Sequence, residues 1–293
     1  MQSYVNFPLV LCKPTSQIIQ PKFNQCKRFV LHPLFLFIYL TISILGSSTI
    51  FRLSFKYTLR FVPSTVTGCS KVSEGCKHCY AEVMARRLKA MGQIKYSNGF
   101  RVTTHDESLI EPLKWHKPQM IFVCSMGDLF HEKVPDDFID RVMETIEKTP
   151  QHRYQLLTKR ADRMAVYFSN HPIPLNAWLG VTVECKSSIP RIDLIRKLNA
   201  SVKFLSCEPL VEDLGKMNLD GINWIIVGGE SGLQARPMRE DWALNVKQQA
   251  ETMNIPFFFK QWGTWGADGI KRNKHVNGKL LQGKIIQELP KFE

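Results

Sequence analysis

Six short apolar runs, each closing on a polar or charged group, constrain this chain more than any other feature. Ile121-Phe-Val-Cys124 ends in Ser125-Met-Gly-Asp128, and Tyr154-Gln-Leu-Leu157 ends in Thr158-Lys159-Arg160. Trp178 to Val183 leads into Glu184-Cys185, and Val202 to Leu205 into Ser206-Cys207-Glu208-Pro209. Ile222 to Val227 closes on Gly228-Gly229-Glu230-Ser231, and Pro256 to Phe259 on Lys260-Gln261-Trp262. Helical patterns lie between several of these runs. After Pro135, Phe138, Ile139, Val142, Met143 and Ile146 share one face until Pro150, with Asp136 and Asp137 at the N-terminal end. Ile189, Ile192, Ile195 and Leu198 form a second face, and Trp242 to Met253 carries a third.

Strands of this length alternating with helices predict parallel βαβ units and an α/β fold. With a weak further strand around Phe61 to Val66, the expectation is a complete or partial TIM-type (β/α) barrel; an open doubly wound sheet is the alternative. Both architectures build their sites at the C-terminal strand ends. Those ends here carry Asp128, Lys159, Arg160, Glu184, Glu208, Glu230 and Lys260. Glu184, Glu208 and Lys260 are the catalytic candidates.

The loop after the first strand carries the most specific chemistry. Cys69-Ser-Lys-Val-Ser-Glu-Gly-Cys76-Lys-His-Cys79 places three cysteines in eleven residues. A helix follows, with Ala81, Met84, Leu88 and Met91 on one face and Gly92 at its end. Thiolates this close are usually gathered by a metal or a cluster in a reducing, cytoplasmic compartment. A closed zinc site takes four protein ligands, whereas a cubane cluster has four irons. Three cysteines therefore leave one position, which on a cluster iron can take the amine and carboxylate of S-adenosylmethionine for reductive cleavage to a 5′-deoxyadenosyl radical. A zinc knuckle completed by His78 or a distant histidine is the competing reading of the same spacing.

Composition separates the N-terminal stretch from this pattern. The chain has 293 residues and a formal charge of +13. Residues 1–63 hold seven of its 39 basic groups and none of its 26 acidic ones, so half of the excess sits there. Residues 33–50 are uncharged, a length that just admits a membrane span, with basic residues at both ends and Ser and Thr in its second half. The reading adopted is a basic hydrophobic extension, residues 1–60, foreign to the fold and dispensable for its chemistry; a membrane anchor is the alternative. The expected barrel domain is then 61–265, with a basic C-terminal tail at 266–293.

The run Val66-Thr-Gly-Cys-Ser-Lys-Val-Ser-Glu-Gly-Cys-Lys-His-Cys-Tyr-Ala81 resembles a phage- and prophage-associated family of three-Cys-motif proteins related to the radical-SAM superfamily. Ser125-Met-Gly-Asp-Leu-Phe-His131, Leu157-Thr-Lys-Arg160, Leu205-Ser-Cys-Glu-Pro-Leu210, Val227-Gly-Gly-Glu-Ser-Gly232 and Phe257-Phe-Phe-Lys-Gln-Trp-Gly263 match it in the same order. The resemblance covers roughly residues 66–265. It implies a radical-SAM-type barrel, a 4Fe-4S cluster on Cys69, Cys76 and Cys79, S-adenosylmethionine, and an electron donor of flavodoxin or ferredoxin type, but no established reaction. Two features depart from the pattern. Six and two residues separate the cysteines, where most radical-SAM enzymes have three and two, and Phe61-Val-Pro-Ser-Thr65 stands where the family has Trp-Asn-Pro. Because Gly228-Gly229-Glu230 follows a late strand, Ser125 to Asp128 is the better candidate for the methionyl amine; Glu230 is then available to ribose or substrate, and Gly228-Gly229 also reads as a turn needing positive φ.

Nucleic acid is the partner weighed against a small-molecule substrate. Arg86, Arg87 and Lys89, and Lys271-Arg272-Asn-Lys274-His275, are able to meet phosphates, and Trp262 and Trp265 to stack a base. A solvated basic face and core aromatics explain the same residues. The rival function is therefore a zinc-stabilised nucleic-acid-binding module without catalysis.

Overall fold

The structure is a computed structural model that describes residues 58–61 and 64–291. The uncharged run at 33–50 and the rest of the basic extension through residue 57 lie outside the described residues. No helix among the described residues is long and apolar enough to cross a membrane.

Seven parallel strands form the main sheet. They are β1 (Thr58–Phe61), β4 (Gln119–Phe122), β5 (Arg153–Thr158), β6 (Ala177–Thr182), β7 (Val202–Cys207), β8 (Trp224–Gly228) and β9 (Phe257–Gln261). Each strand pairs with the next of these in the chain. The first lies earlier than expected. Thr58–Phe61 pairs with β4, whereas Val66–Thr67 (β2) forms a short antiparallel pair with Thr103–Thr104 (β3). Pro63 has no N–H for a ladder, so an unbroken strand from 61 to 66 is disfavoured from the start.

Side-chain alternation separates the two faces of the sheet. Ile121, Leu156, Leu179, Leu205, Ile225 and Phe257 join one core cluster. The helices α2 (Asp136–Glu147), α3 (Ala161–Asn170), α4 (Arg191–Arg196) and α5 (Glu240–Thr252) bury their apolar residues in that same cluster. The four helices that link β4 to β9 thus cover one face. A doubly wound sheet reverses its strand order and places helices on both faces; this one does neither. Sequential order with helices on one side is the winding of a barrel. Among the described residues, however, β9 pairs with β8 and not with β1, so the barrel is partial.

The opposite face carries Met120, Trp178, Val202, Phe204 and Trp224, packed with Leu157, Ile226, Phe258 and Leu289. Leu289 belongs to a segment that returns along β9. The Phe259 amide donates to the Ile286 carbonyl at 2.7 Å, and the Glu288 amide to the Phe257 carbonyl at 3.1 Å. The C-terminal residues therefore line the outer side of an edge strand and close the bottom of the helix-free face. Residues 93–118, polar in sequence, hold only β3 and short 3-10 turns. Their Tyr96 and Phe100 pack on Ala81, Ala85 and Met126, which seats α1 (Tyr80–Ala90) against the residues that follow β4.

Candidate functional site

Continuing the alternation of the helix-free face past the strand ends gives Lys159 after β5, Glu184 after β6, Glu208 after β7 and Lys260 within β9. This common parity brings the charged strand ends to one rim. The cysteine loop lies across it and is strapped down at four places.

The first strap is Arg160. Its Nη2 donates to Ser70 Oγ at 2.8 Å and to the Ser70 carbonyl at 3.2 Å. Its Nη1 donates to Cys69 Sγ at 3.3 Å and to Asp128 Oδ2 at 3.1 Å, and its Nε to Glu132 Oε2 at 3.1 Å. His131 adds to this strap. Its Nδ1 accepts the Lys133 amide at 3.1 Å, which leaves Nε2–H to face Ser70 Oγ at 2.9 Å. Burial and neighbouring Arg160 hold His131 below the ordinary histidine value, in keeping with a neutral ring.

The second strap is Glu184, fully buried at the end of the central strand β6. It accepts from Ser73 Oγ and, at 2.9 Å, from Arg191 Nη1. A Cβ on Gly75 would stand 2.8 Å from Glu184 Cγ, so glycine is what lets the loop settle there. Arg236 makes the third strap. It donates to both Glu230 oxygens at 2.9 and 3.0 Å and to the Glu74 carbonyl at 2.9 Å. The fourth is the Tyr80 hydroxyl, which donates to the Ser125 carbonyl.

Burial alone would raise Glu184. Lys159, the Ser73 hydroxyl and Arg191 outweigh it and hold the carboxyl below its ordinary value of 4.5. A depressed folded-state value contributes stability that is present above the unfolded value and is lost as pH falls through the folded one. Glu184→Gln should therefore flatten the loss of stability below about pH 4.5, read as urea midpoints between pH 6 and 3. A slope equal to wild type would show that Glu184 is not held ionised.

The charged rim is neutralised pairwise. Asp128 pairs with Arg160, Glu184 with Arg191, Glu208 with Lys260 at 3.0 Å, and Glu230 with Arg236. Lys159 is the exception, with no ion-pair partner among the described residues. Beside it opens a cleft of about 460 Å³ lined by Val72, Glu132, Lys159, Arg160, Arg163 and Arg191.

Of the expected cofactor residues, Ser125 is half-buried, its hydroxyl 3.2 Å from Ser64 Oγ. Asp128 is not an open acceptor. Thr158 Oγ1 reaches both of its oxygens at 2.7 and 2.9 Å, and Arg160 and the Phe130 amide take the rest. Glu230 is likewise committed to Arg236. Gly228 and Gly229 are not positive-φ turn residues. They are glycines because of close approach: a Cβ on Gly229 would stand 1.9 Å from the Trp262 carbonyl, and one on Gly228 2.4 Å from Glu208 Oε1. His131, Ser73, Arg191, Arg236 and Tyr80 complete the site without having been singled out for it, whereas Arg160 already stood among the charged strand ends. His131 sat at the end of a matched motif, the one signal that pointed to it.

Cys69, Cys76 and Cys79 are free and half-buried. Burial, then Asp128 and more weakly Cys76, push the Cys69 thiol up, and Arg160 opposes them. Among the described residues no three His, Cys, Asp or Glu side chains form a group able to hold a metal ion as the loop stands. The donor set itself fits a cubane cluster, with three unoxidised thiols on one loop and one iron left to a non-protein ligand.

Residues 58–290 match the DUF5131 family, described as a protein of unknown function. No curated protein matches the chain. Solved structures of spore photoproduct lyase show similarity. A cysteine-to-alanine variant with dinucleoside spore photoproduct matches with 12% identity, a TM-score of 0.38 and coverage of 65% of this chain and 60% of that one. A double variant with bound AdoMet and the same dinucleoside gives 13%, 0.36, 64% and 60%. A further structure of the single cysteine-to-alanine variant gives 14%, 0.38, 72% and 66%. The match with the first of these spans about 60% of the lyase's length.

Proposed function

The chain belongs to the DUF5131 family, and we propose that it is a radical-SAM-type iron–sulfur enzyme acting on a substrate held at the C-terminal rim of its partial barrel. The observation that carries this reading is the position of the cysteine loop. It is tied across the C-terminal ends of the parallel strands, after β5, β6 and β8, by Arg160, Glu184 and Arg236, where a barrel of this kind assembles its site. A loop that only stabilised the fold would have no need to lie over the rim.

Cys69, Cys76 and Cys79 would hold a 4Fe-4S cluster, with S-adenosylmethionine bound beside it, and together these groups would supply reductive radical chemistry, the electron coming from an external donor. The protein's part is placement. Ser125 and the backbone of Gly228 and Gly229 contact the cofactor. Asp128 and Glu230 act one step away, fixing Arg160 and Arg236. Lys159, in no ion pair among the described residues, and the Glu208–Lys260 pair face the substrate, of which an anionic group is the natural complement to Lys159. The electron comes from a flavodoxin- or ferredoxin-type donor in a reducing cytoplasm.

Anaerobic reconstitution tests the reading. The expected product is brown, carries about four irons and four sulfides per chain, and loses its charge-transfer absorption on reduction. One equivalent of zinc with no iron uptake would instead identify a zinc-stabilised module and end the radical-SAM assignment.

A further inference from the structure

Arg160 sits at the N-cap of α3 but makes no capping bond with its side chain. The guanidinium turns back beneath the cysteine loop, 7% exposed. Its five donors meet five acceptors: Glu132 Oε2, Asp128 Oδ2, Cys69 Sγ, Ser70 Oγ and the Ser70 carbonyl. Three of those acceptors belong to the loop, on the first cysteine and the residue after it. The other two are carboxylates that hold the fork from the opposite side. No other described side chain bonds to a sulfur of the three cysteines while being anchored so deeply. Ser73 Oγ lies 3.6 Å from Cys76 Sγ, but Ser73 is a residue of the loop itself.

We propose that Arg160 is the positioning residue that seats Cys69 and sets the electron affinity of the cluster this cysteine holds. The inference rests on the iron–sulfur reading above. Arginine stays protonated under all working conditions and presents a rigid fork. An N–H donated to a ligand sulfur, with a fixed positive charge behind it, stabilises the added electron of a reduced cluster, and hydrogen bonds to the sulfurs are among the features that set cluster potentials. Lysine has the charge but neither the planar fork nor five donors, so it can replace part of the effect only. Asp128 and Glu132 serve here as the backing that keeps the fork pointed at the loop.

The experiment is an anaerobic redox titration of the reconstituted full chain as wild type, Arg160→Gln, Arg160→Lys and Arg236→Gln, with iron content measured on each. Arg236 holds the same loop through Glu74 and touches no cysteine sulfur, so it controls for loop anchoring alone. Arg160→Gln is expected to keep its iron and to become at least tenfold harder to reduce, which for a one-electron couple is about 59 mV downward. Arg160→Lys should fall between it and wild type, and Arg236→Gln, which loosens the same loop without touching a sulfur, should shift the potential by much less than Arg160→Gln. Loss of iron from Arg160→Gln that Arg160→Lys restores, with a lowered potential, supports the same role. Equal potentials across the series, or an equal shift in Arg236→Gln, overturns it. So does loss of iron from both Arg160 variants together with a matching loss of thermal stability. A wild-type chain that takes up no iron sinks the iron–sulfur reading itself, a result distinct from all of these.

Discussion

Cys69→Ala, Cys76→Ala and Cys79→Ala are each expected to lower the iron content of the reconstituted chain from about four to below about one per molecule, and to abolish reductive cleavage of S-adenosylmethionine. An iron deprived of its thiolate destabilises the whole cubane, so the three sites behave as a unit and not as thirds of an affinity. The remaining described cysteines provide the contrast. Cys124 is buried and its thiol is pushed up to about 12 by that burial; Cys185 bonds to Ser187 and Ser188 within its own turn. Cys124 is therefore no reactive thiolate of the kind that metal ligation demands. Cys124→Ala and Cys185→Ala should retain their iron. Cys207 is the least clean control, because it is fully buried between the strand ends that carry Glu184 and Glu208, both of which push its thiol up with burial as the larger cause. Full iron content in Cys76→Ala would refute the ligand assignment whatever the controls show.

What could be read from the sequence divides along a physical line. Phe138, Ile139, Val142, Met143 and Ile146 form the buried face of α2 because a period of 3.6 residues leaves no other choice once one of them is inside. The strand ends fall on one rim because alternation along each strand fixes which side chains point away from the helices. Both facts are local and survive without coordinates. The winding is not local. An apolar run of four residues says neither on which side its crossover helix will lie nor which strand it will pair with, and the partial barrel and the doubly wound sheet differ in those two respects.

Pairings between rim residues were equally hidden. Asp128 and Glu230 read as open carboxylates, yet each is spent on an arginine, one from a different strand end and one six residues along the chain. Gly228 and Gly229 read as a turn because glycine usually marks positive φ. Here the missing Cβ makes room for the Trp262 carbonyl and for Glu208, contacts made only once β7, β8 and β9 are aligned. The basic run Lys271 to His275 keeps its ambiguity for a related reason. Arg272 is paired with Asp268 at 2.6 Å and Lys271 donates to the Leu233 carbonyl, so part of that charge is already used inside the fold.

Asp128→Ala is expected to cost about 3–5 kcal/mol of unfolding free energy, the range for removing one partner of a buried ion pair. The carboxylate is 6% exposed, and four donors make five hydrogen bonds to it: the Thr158 hydroxyl, which reaches both oxygens, the Arg160 guanidinium, and the amides of Phe130 and Lys159. Truncation leaves the Arg160 charge buried with only the exposed Glu132 beside it, and orphans the Thr158 hydroxyl and the Phe130 amide. Asp128→Asn keeps the shape and one acceptor oxygen, so it should lose less and separate the charge from the hydrogen bonds. The Asp128→Ala/Arg160→Met double variant should recover part of the loss, since no unpaired charge remains inside. Urea denaturation of the metal-free chain measures all three, and coupling of roughly 0.5–3 kcal/mol between the two sites would be typical of directly bonded groups. If Asp128→Ala unfolds within about 1 kcal/mol of wild type, solvent reaches Arg160 far more readily than its 7% exposure implies. In that case the same solvent also reaches Cys69 Sγ, 3.3 Å from the guanidinium, and the rim is open to water.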